Sequence, residues 1–304
     1  MPPAYFSLGL IGYPLGHSLS PRLHQAALQA SGFDGEYRLY SVDPAEGGLE
    51  TLQGLLHDLR RGKLQGLNVT IPHKQTVLPF MDRLSPTAQA VRAVNTIFYQ
   101  DGELVGDNTD VAGFWADLAK KFSVIVHKAY DSTGIDSDAR LLPRAALVLG
   151  AGGSARAVVL ALCRAGWNVS IASRRVEQAQ ALAEEFSKLE ASVLGIELNR
   201  STLSDLLSEK PIRLIVNTTP LGMQAHQSAS PWPADLDFPG QAFVYDLVYN
   251  PPVTPLVQQA RQAGLEAVNG LGMLLEQAVL SFELWTGIRP SIETLSEALQ
   301  GESQ

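Results

Sequence analysis

The chain has 304 residues, 45% of them hydrophobic and 18% charged, enough apolar mass for about two buried cores and too much for a disordered chain. Its net charge of −8 excludes a broadly basic surface that would hold nucleic acid, though not a local pocket for a small anion. The single cysteine, Cys163, excludes an intrachain disulfide and a cysteine-rich metal site, and no apolar run reaches the roughly 18 residues of a membrane helix.

The N-terminal stretch MPPAYFSLGLIGYPLGH has no Lys or Arg ahead of its apolar residues. No secretory signal is therefore expected, and the expected location is cytoplasmic. Residues 7–12 read as a first strand. Ser20-Pro21 reads as an N-cap followed by Pro at the first helical position, with Gly32 as the stop. A strand is expected at 36–42, a helix at 46–61 and a strand at 64–71. Within 95–106, Asp101-Gly102 between two alternating runs signals a hairpin. A helix follows at 110–121. Residues 123–143 are read as an exposed loop inserted between domains, because they are polar and end in Pro143. The apolar run 145–150 reads as a buried parallel strand. Helices at 153–165 and 176–187 then alternate with strands at 168–172, 212–217 and 242–246. That alternation predicts an α/β fold with a doubly wound parallel sheet. Leu271, Leu274, Leu275, Ala278, Val279, Phe282 and Trp285 share one helical face near the C-terminus. Gly287 and Pro290 end that helix, and Ser291 is placed to cap another.

The stretch GLNVTIPHK, Gly66 to Lys74, ends an apolar run in Asn68, Thr70, His73 and Lys74, with Pro72 stopping the strand. By itself it fits a solvated turn or the wall of a substrate cleft. Gly150, Gly152 and Ala155 have G-x-G-x-x-A spacing between a strand and a helix. Such a turn lets the backbone approach a pyrophosphate and aims helix N–H groups at it. An NAD site would place an acid at the end of the next strand, to hold the ribose hydroxyl. Here stand Ser173, Arg174 and Arg175, and forked guanidiniums suit a 2′-phosphate. The bland alternative is two solvated arginines, and NADP is favoured over it. Polar residues also collect at other element ends: Ser18 and Ser20, Asp110, Asn217 to Thr219, and Asp246 with Tyr249. Singly, Ser20 and Asp110 read first as helix caps.

Taken together, these stretches resemble the shikimate dehydrogenase family. The resemblance rests on Gly12 to His24 (G-x-P-x-x-H-S-x-S-P-x-x-H), Asn68 to Lys74 (N-V-T-x-P-x-K), Ala93 to Thr96 (A-V-N-T) and Gly106 to Gly113 (G-x-N-T-D-x-x-G). It continues through Gly150 to Gly153 (G-A-G-G), Asn217 to Met223 (N-T-T-P-x-G-M), Asp246 to Leu256 and Gly270 to Ala278 (G-x-x-M-L-x-x-Q-A). Gln25 stands where the family usually has Asn, and Arg92 where it has Gly. Ser173-Arg174-Arg175 replaces the usual N-R-T.

The resemblance implies two domains. Residues 1–110 with 271–304 would bind substrate, and residues 111–270 would form a Rossmann-type NADP-binding domain. It implies reversible NADPH-dependent reduction of 3-dehydroshikimate to shikimate, a step toward the aromatic amino acids. Lys74 and Asp110 would be the catalytic pair. Ser18 and Ser20 would hold the substrate carboxylate, and Thr70, Asn95 and Gln277 its hydroxyls, with Tyr249 near the same pocket. Gly150, Ala151, Gly152, Gly153 and Ser154 would bind pyrophosphate, and Ser173, Arg174 and Arg175 the adenosine phosphate. Thr218, Leu247 and Gly270 complete the NADP set, the last two bordering the nicotinamide. The expected partner is a small-molecule substrate, not nucleic acid or membrane, and a homodimer is compatible with this reading. Three alternatives compete: a quinate-oxidising relative, another two-domain NADP enzyme such as a methylenetetrahydrofolate dehydrogenase, and a silent nucleotide-sensing regulator.

Overall fold

The computed structural model describes residues 5–45, 47–133, 144–188, 191–223 and 227–300, with the backbone alone at 122–133. The chain divides into two compact units, residues 1–113 with 274–304, and residues 114–273.

In the first unit the chain runs β1 (Phe6–Gly12), α1 (Ser20–Ala30), β2 (Gly35–Ser41), α2 (Gly48–Arg60), β3 (Gly66–Val69), β4 (Arg83–Leu84), α3 (Pro86–Val91), β5 (Thr96–Gln100) and β6 (Glu103–Asp107). These build a six-stranded mixed sheet in the order β2-β1-β3-β5-β6-β4. β1 pairs parallel with β2 and β3, and β5 runs antiparallel to both β3 and β6. Asp101 and Gly102 join β5 to β6 with φ of 53° and 86°. This is the turn their sequence predicts, since both positions tolerate left-handed backbone. Period-two alternation sends β1 side chains to both faces. Phe6, Leu8 and Leu10 pack with α1 residues Leu23 and Ala27 and with Phe282 and Trp285. Ile11 faces the other way, with Leu52, Leu56 and Val69.

The helix α4 (Asp110–Thr133) leads out of the first unit. Its length corrects the expected loop at 123–143. Residues 123–133 are helical, because no Gly or Pro interrupts the chain between Gly113 and Gly134. The remainder of that expectation, 134–143, lies outside the described residues.

The second unit continues with β7 (Ala145–Leu149), α5 (Gly153–Arg164), β8 (Asn168–Ser173), α6 (Val176–Phe186), β9 (Val193–Glu197), α7 (Arg200–Glu209), β10 (Leu214–Asn217), β11 (Phe243–Asp246), α8 (Pro255–Gln262) and β12 (Ala267–Asn269). Its sheet has the order β12-β11-β10-β7-β8-β9. Every pairing in it is parallel, which is the doubly wound arrangement with order reversal between β7 and β10. β7, β10 and β11 are buried along their whole length, as apolar runs covered on both faces should be. Cys163 is buried in α5, and burial pushes its thiol up to about 11. α9 (Leu271–Thr286) and α10 (Ile292–Gln300) then return the chain to the first unit. No helix among the described residues is long and apolar enough to cross a membrane.

Candidate active site

The parallel strands β2, β1 and β3 all deliver their C-terminal ends to one edge of the first sheet. Tyr13 N–H donates to Ile71 O there (2.9 Å), and Thr70 N–H to Ile11 O (2.8 Å). The loop carrying Ser18 and the turn carrying Thr70 to Lys74 therefore start side by side. That turn is pinned on several sides. His73 N–H donates to Thr70 O (2.9 Å) and Val94 N–H to Lys74 O (2.8 Å). His73 Nε2 lies 2.7 Å from Val42 O, so its ring, buried at 3% exposure, ties the turn to the end of β2.

Pinned this way, Lys74 donates from Nζ to Asp110 Oδ2 at 2.6 Å. The side chains are only 10% and 6% exposed, so the pair is screened little by water. Asp110 is the first residue of α4, where partial positive charge at the helix end favours a carboxylate. Asn95 Nδ2 donates to its other oxygen, Oδ1, at 2.9 Å. The same amide also reaches Thr109 Oγ1 at 2.9 Å. Gln277, on α9, packs against α4 one turn after Asp110: a Cβ on Gly113 would come within 2.9 Å of its backbone nitrogen.

Ser20 does not cap α1. It is the first helical residue, Leu19 is the cap, and no side-chain capping bond forms. Ser20 N–H donates to Ser18 Oγ at 3.3 Å. His24 lies fully buried on α1 with neither ring nitrogen bonded to a described residue. It stacks on Tyr37 at 4.4 Å and 7°. Burial lowers its pKa to about 3, against an opposing pull from Asn68.

In the second unit, Gly150 has φ of 108°, and a Cβ there would fall 2.6 Å from Thr218 Oγ1. Only glycine suits both demands. A Cβ on Gly152, by contrast, would meet nothing within 4 Å, which leaves open space over the N-terminus of α5. Ala151, Gly153 and Ser154 complete this β7–α5 turn. Ser173 ends β8, buried. Arg174 and Arg175 follow, exposed, and neither guanidinium pairs with a described residue. Thr218 Oγ1 donates to Leu149 O at 2.8 Å, tying the end of β10 to the glycine turn.

Asp246 ends β11 fully buried. It accepts from Asn217 Nδ2 (2.8 Å), Val248 N–H (3.0 Å) and Thr254 Oγ1 (2.6 Å). Burial raises its pKa to about 6 in spite of these three donors. The clamp sets the path of Leu247, whose N–H donates to Asn217 O at 2.9 Å. It also brings Leu247 against Gly270: a Cβ on Gly270 would sit 2.2 Å from Leu247 O. Tyr249, half-buried, lies in the same loop. Sequence reasoning placed Asp246 at a strand end without giving it this task. Nor did it find Thr96, Thr109 and Ser281, whose hydroxyls meet around Asn95. Thr96 and Thr109 stand inside the A-V-N-T and G-x-N-T-D-x-x-G stretches with no role assigned to them there, and Ser281 stands in none of the stretches.

The NADP-dependent shikimate dehydrogenase of Shouchella clausii is 38% identical to the chain over 293 residues, covering 96% of the chain and 97% of that protein. The chain belongs to the shikimate dehydrogenase family. Residues 10–97 match the shikimate dehydrogenase substrate binding domain, residues 137–218 the shikimate/quinate 5-dehydrogenase domain, and residues 270–300 the shikimate 5′-dehydrogenase C-terminal domain. The solved shikimate 5-dehydrogenase of Thermus thermophilus, in complex with NADP(H) and shikimate, is 37% identical with a TM-score of 0.75, covering 97% of this chain and 98% of its own. A quinate dehydrogenase from Corynebacterium glutamicum in complex with NAD is 31% identical with a TM-score of 0.80, covering 97% and 99%. The family fold accounts for both units, an N-terminal α/β substrate-binding domain and a Rossmann-type NADP-binding domain.

Proposed function

We propose that this protein catalyses the reversible NADPH-dependent reduction of 3-dehydroshikimate to shikimate, within aromatic amino acid biosynthesis. The observation that carries the mechanism is the buried Lys74–Asp110 pair. NADPH, when bound, supplies the hydride. The β7–α5 turn suits its pyrophosphate, with Gly150 curving the backbone and Gly152 leaving room for close approach. Arg174 and Arg175, which no described acid neutralises, suit its 2′-phosphate. Ser173 joins the arginines at the adenosine phosphate, Thr218 ties the end of β10 to the glycine turn, and Leu247 and Gly270 border the nicotinamide.

As hydride reaches the ketone carbon, negative charge grows on its oxygen. A positioned ammonium stabilises that charge, and a proton from Lys74 Nζ completes the alcohol. Asp110 fixes the direction of the ammonium. Ser18 and Ser20, at the start of α1, hold the substrate carboxylate. Thr70, Asn95, Gln277 and Tyr249 address the ring hydroxyls. A hydroxyl binding to Asn95 competes with the bond to Thr109 Oγ1.

The likeness to an NAD-bound quinate dehydrogenase makes quinate oxidation with NAD the second reading. The arginines at the end of β8, and the absence of an acid there, support NADP instead. The test is absorbance at the NADPH band with shikimate and NADP, repeated with NAD and with quinate. Higher kcat/KM for quinate with NAD would overturn the proposal. Lys74→Ala should lose most of kcat with KM for shikimate little changed, and near-normal turnover in that variant would remove the pair from the mechanism. A cytoplasmic location and a homodimer belong to the same proposal. Fractionation checks the first, and sedimentation velocity the second, where a lone monomer boundary would refute it.

A further inference from the structure

Behind Asp110 lies a line of buried polar groups that all belong to the first unit. Two of its amides have orientations fixed by backbone groups that can play one role only. Asn68 Nδ2 faces the carbonyl Asn95 O at 3.1 Å, so Asn68 Oδ1 must be the acceptor of the Tyr37 hydroxyl, at 2.8 Å. Thr109 N–H, which can only donate, meets Asn95 Oδ1 at 2.8 Å. Asn95 Nδ2 must therefore face Asp110 Oδ1.

The hydroxyls between the amides then have little choice. Asn68 Nδ2 donates its second hydrogen toward Ser281 Oγ at 3.0 Å. Ser281 lies 2.8 Å from Thr96 Oγ1. Thr96 in turn donates to Asn95 Oδ1 at 3.0 Å. Thr109 Oγ1, which accepts from Asn95 Nδ2, turns its proton to Ser281 or Asn95 Oδ1. With Thr96 donating to Asn95 Oδ1, the donors run from Tyr37 through Asn68, Ser281 and Thr96 to Asn95 and on to Asp110, and Lys74 closes the line from the other side. None of these residues is more than 8% exposed, so water does not compete for the bonds.

From this we propose that Tyr37, Asn68, Ser281 and Thr96 form a polarised hydrogen-bond chain that positions Asn95 on Asp110 and so holds the Lys74–Asp110 pair. The inference rests on the proposed role of that pair. Aligned hydrogen bonds in a dry interior strengthen one another. The chain's terminal N–H is therefore a stronger, better aimed donor than an isolated amide. These four are positioning residues: they act on the reaction through Asn95 and Asp110. Ser281 supplies the middle link from α9, which is held in the first unit by its apolar face.

The test compares Thr96→Val, which keeps the side chain's shape and removes its hydroxyl, with Thr96→Ser, which keeps the hydroxyl. Thr96→Val should lower kcat about tenfold, the scale of one intramolecular hydrogen bond. KM for shikimate should rise at most a few-fold, through Asn95, and the dissociation constant for NADP should hardly move. Thr96→Ser should recover most of kcat, Ser281→Ala should resemble Thr96→Val, and Tyr37→Phe, furthest away, should do least. Val279→Ala, an apolar change in the buried core face of α9, should lower Tm and leave kcat alone. Full kcat in Thr96→Val, or equal loss in Thr96→Ser or Val279→Ala, would overturn the chain. If Lys74→Ala also turned over normally, the pair itself would fall. If Lys74→Ala were dead while Thr96→Val were normal, only the chain would.

Discussion

Lys74 Nζ sits 2.6 Å from Asp110 Oδ2, with both groups shut away from solvent. Lys74 comes from the turn after β3 and Asp110 from the first residue of α4, thirty-six positions later. The pairing leaves neither charge alone in the interior, and it aims the ammonium from a rigid base.

Removing one partner should cost more than removing both. Asp110→Ala deprives a buried ammonium of its carboxylate, and breaking such a pair costs about 3–5 kcal/mol. The double variant Lys74→Met with Asp110→Leu should recover much of that stability while remaining inactive. Urea unfolding and the NADPH assay measure the two effects. A double variant no more stable than Asp110→Ala would refute the account.

The arginines after β8 should matter to one cofactor only. Arg174→Ala with Arg175→Ala removes charge-assisted bonds to the 2′-phosphate, so KM for NADP should rise about 10–100-fold. KM for NAD, which lacks that phosphate, should stay where it is. A parallel rise for both cofactors would mean that the arginines act on the fold instead.

Two glycines in one turn should fail in different ways. Gly150→Ala forces a side chain into left-handed backbone and against Thr218, so it should lower stability by about 1–3 kcal/mol. Gly152→Ala enters open space and should leave Tm of the free protein unchanged while raising KM for NADP. Differential scanning calorimetry with and without NADP separates them.

His24 and Asp246 should respond to pH with opposite signs. The folded pKa of His24 is about 3, below the ordinary 6.5, so the unfolded chain binds the extra proton between those values. Its contribution to stability is present above pH 6.5 and is lost as pH falls toward 3. The folded pKa of Asp246 is about 6, above the ordinary 3.8, so the native state binds the extra proton. Its contribution is present below pH 3.8 and is lost as pH rises through 6. Relative to the native protein, His24→Phe should therefore gain stability on acidification, and Asp246→Asn should gain it as pH rises from 4 to 7. Each difference should reach a few kcal/mol. Unfolding free energies measured in urea across that range would show a flat difference if either group were solvated.

Some of this architecture needs only neighbours along the chain. The Asp101-Gly102 turn, the G-x-G-x-x-A turn after β7 and the apolar face of α9 follow from backbone sterics and period, which are local. The caps of α3 and α8 are equally local, Ser85 before Pro86 and Thr254 before Pro255, although those helices escaped the sequence reading. The loop expected at 123–143 failed where polarity was weighed above the missing helix breakers. The family motifs also placed Lys74, Asp110 and the glycine turn in one sequence-level reading, because each carries a fixed spacing.

What no spacing contains is who meets whom across the fold. His73 sits beside Lys74 in sequence, but its anchor, Val42 O, is thirty-one residues away. Asn68 meets Ser281 across 213 positions. Residue types and local periods determined the elements and the chemistry available at their ends. Burial then decided which of those groups had to find one another, because a polar atom taken from water is stable only against a partner, wherever in the chain that partner lies.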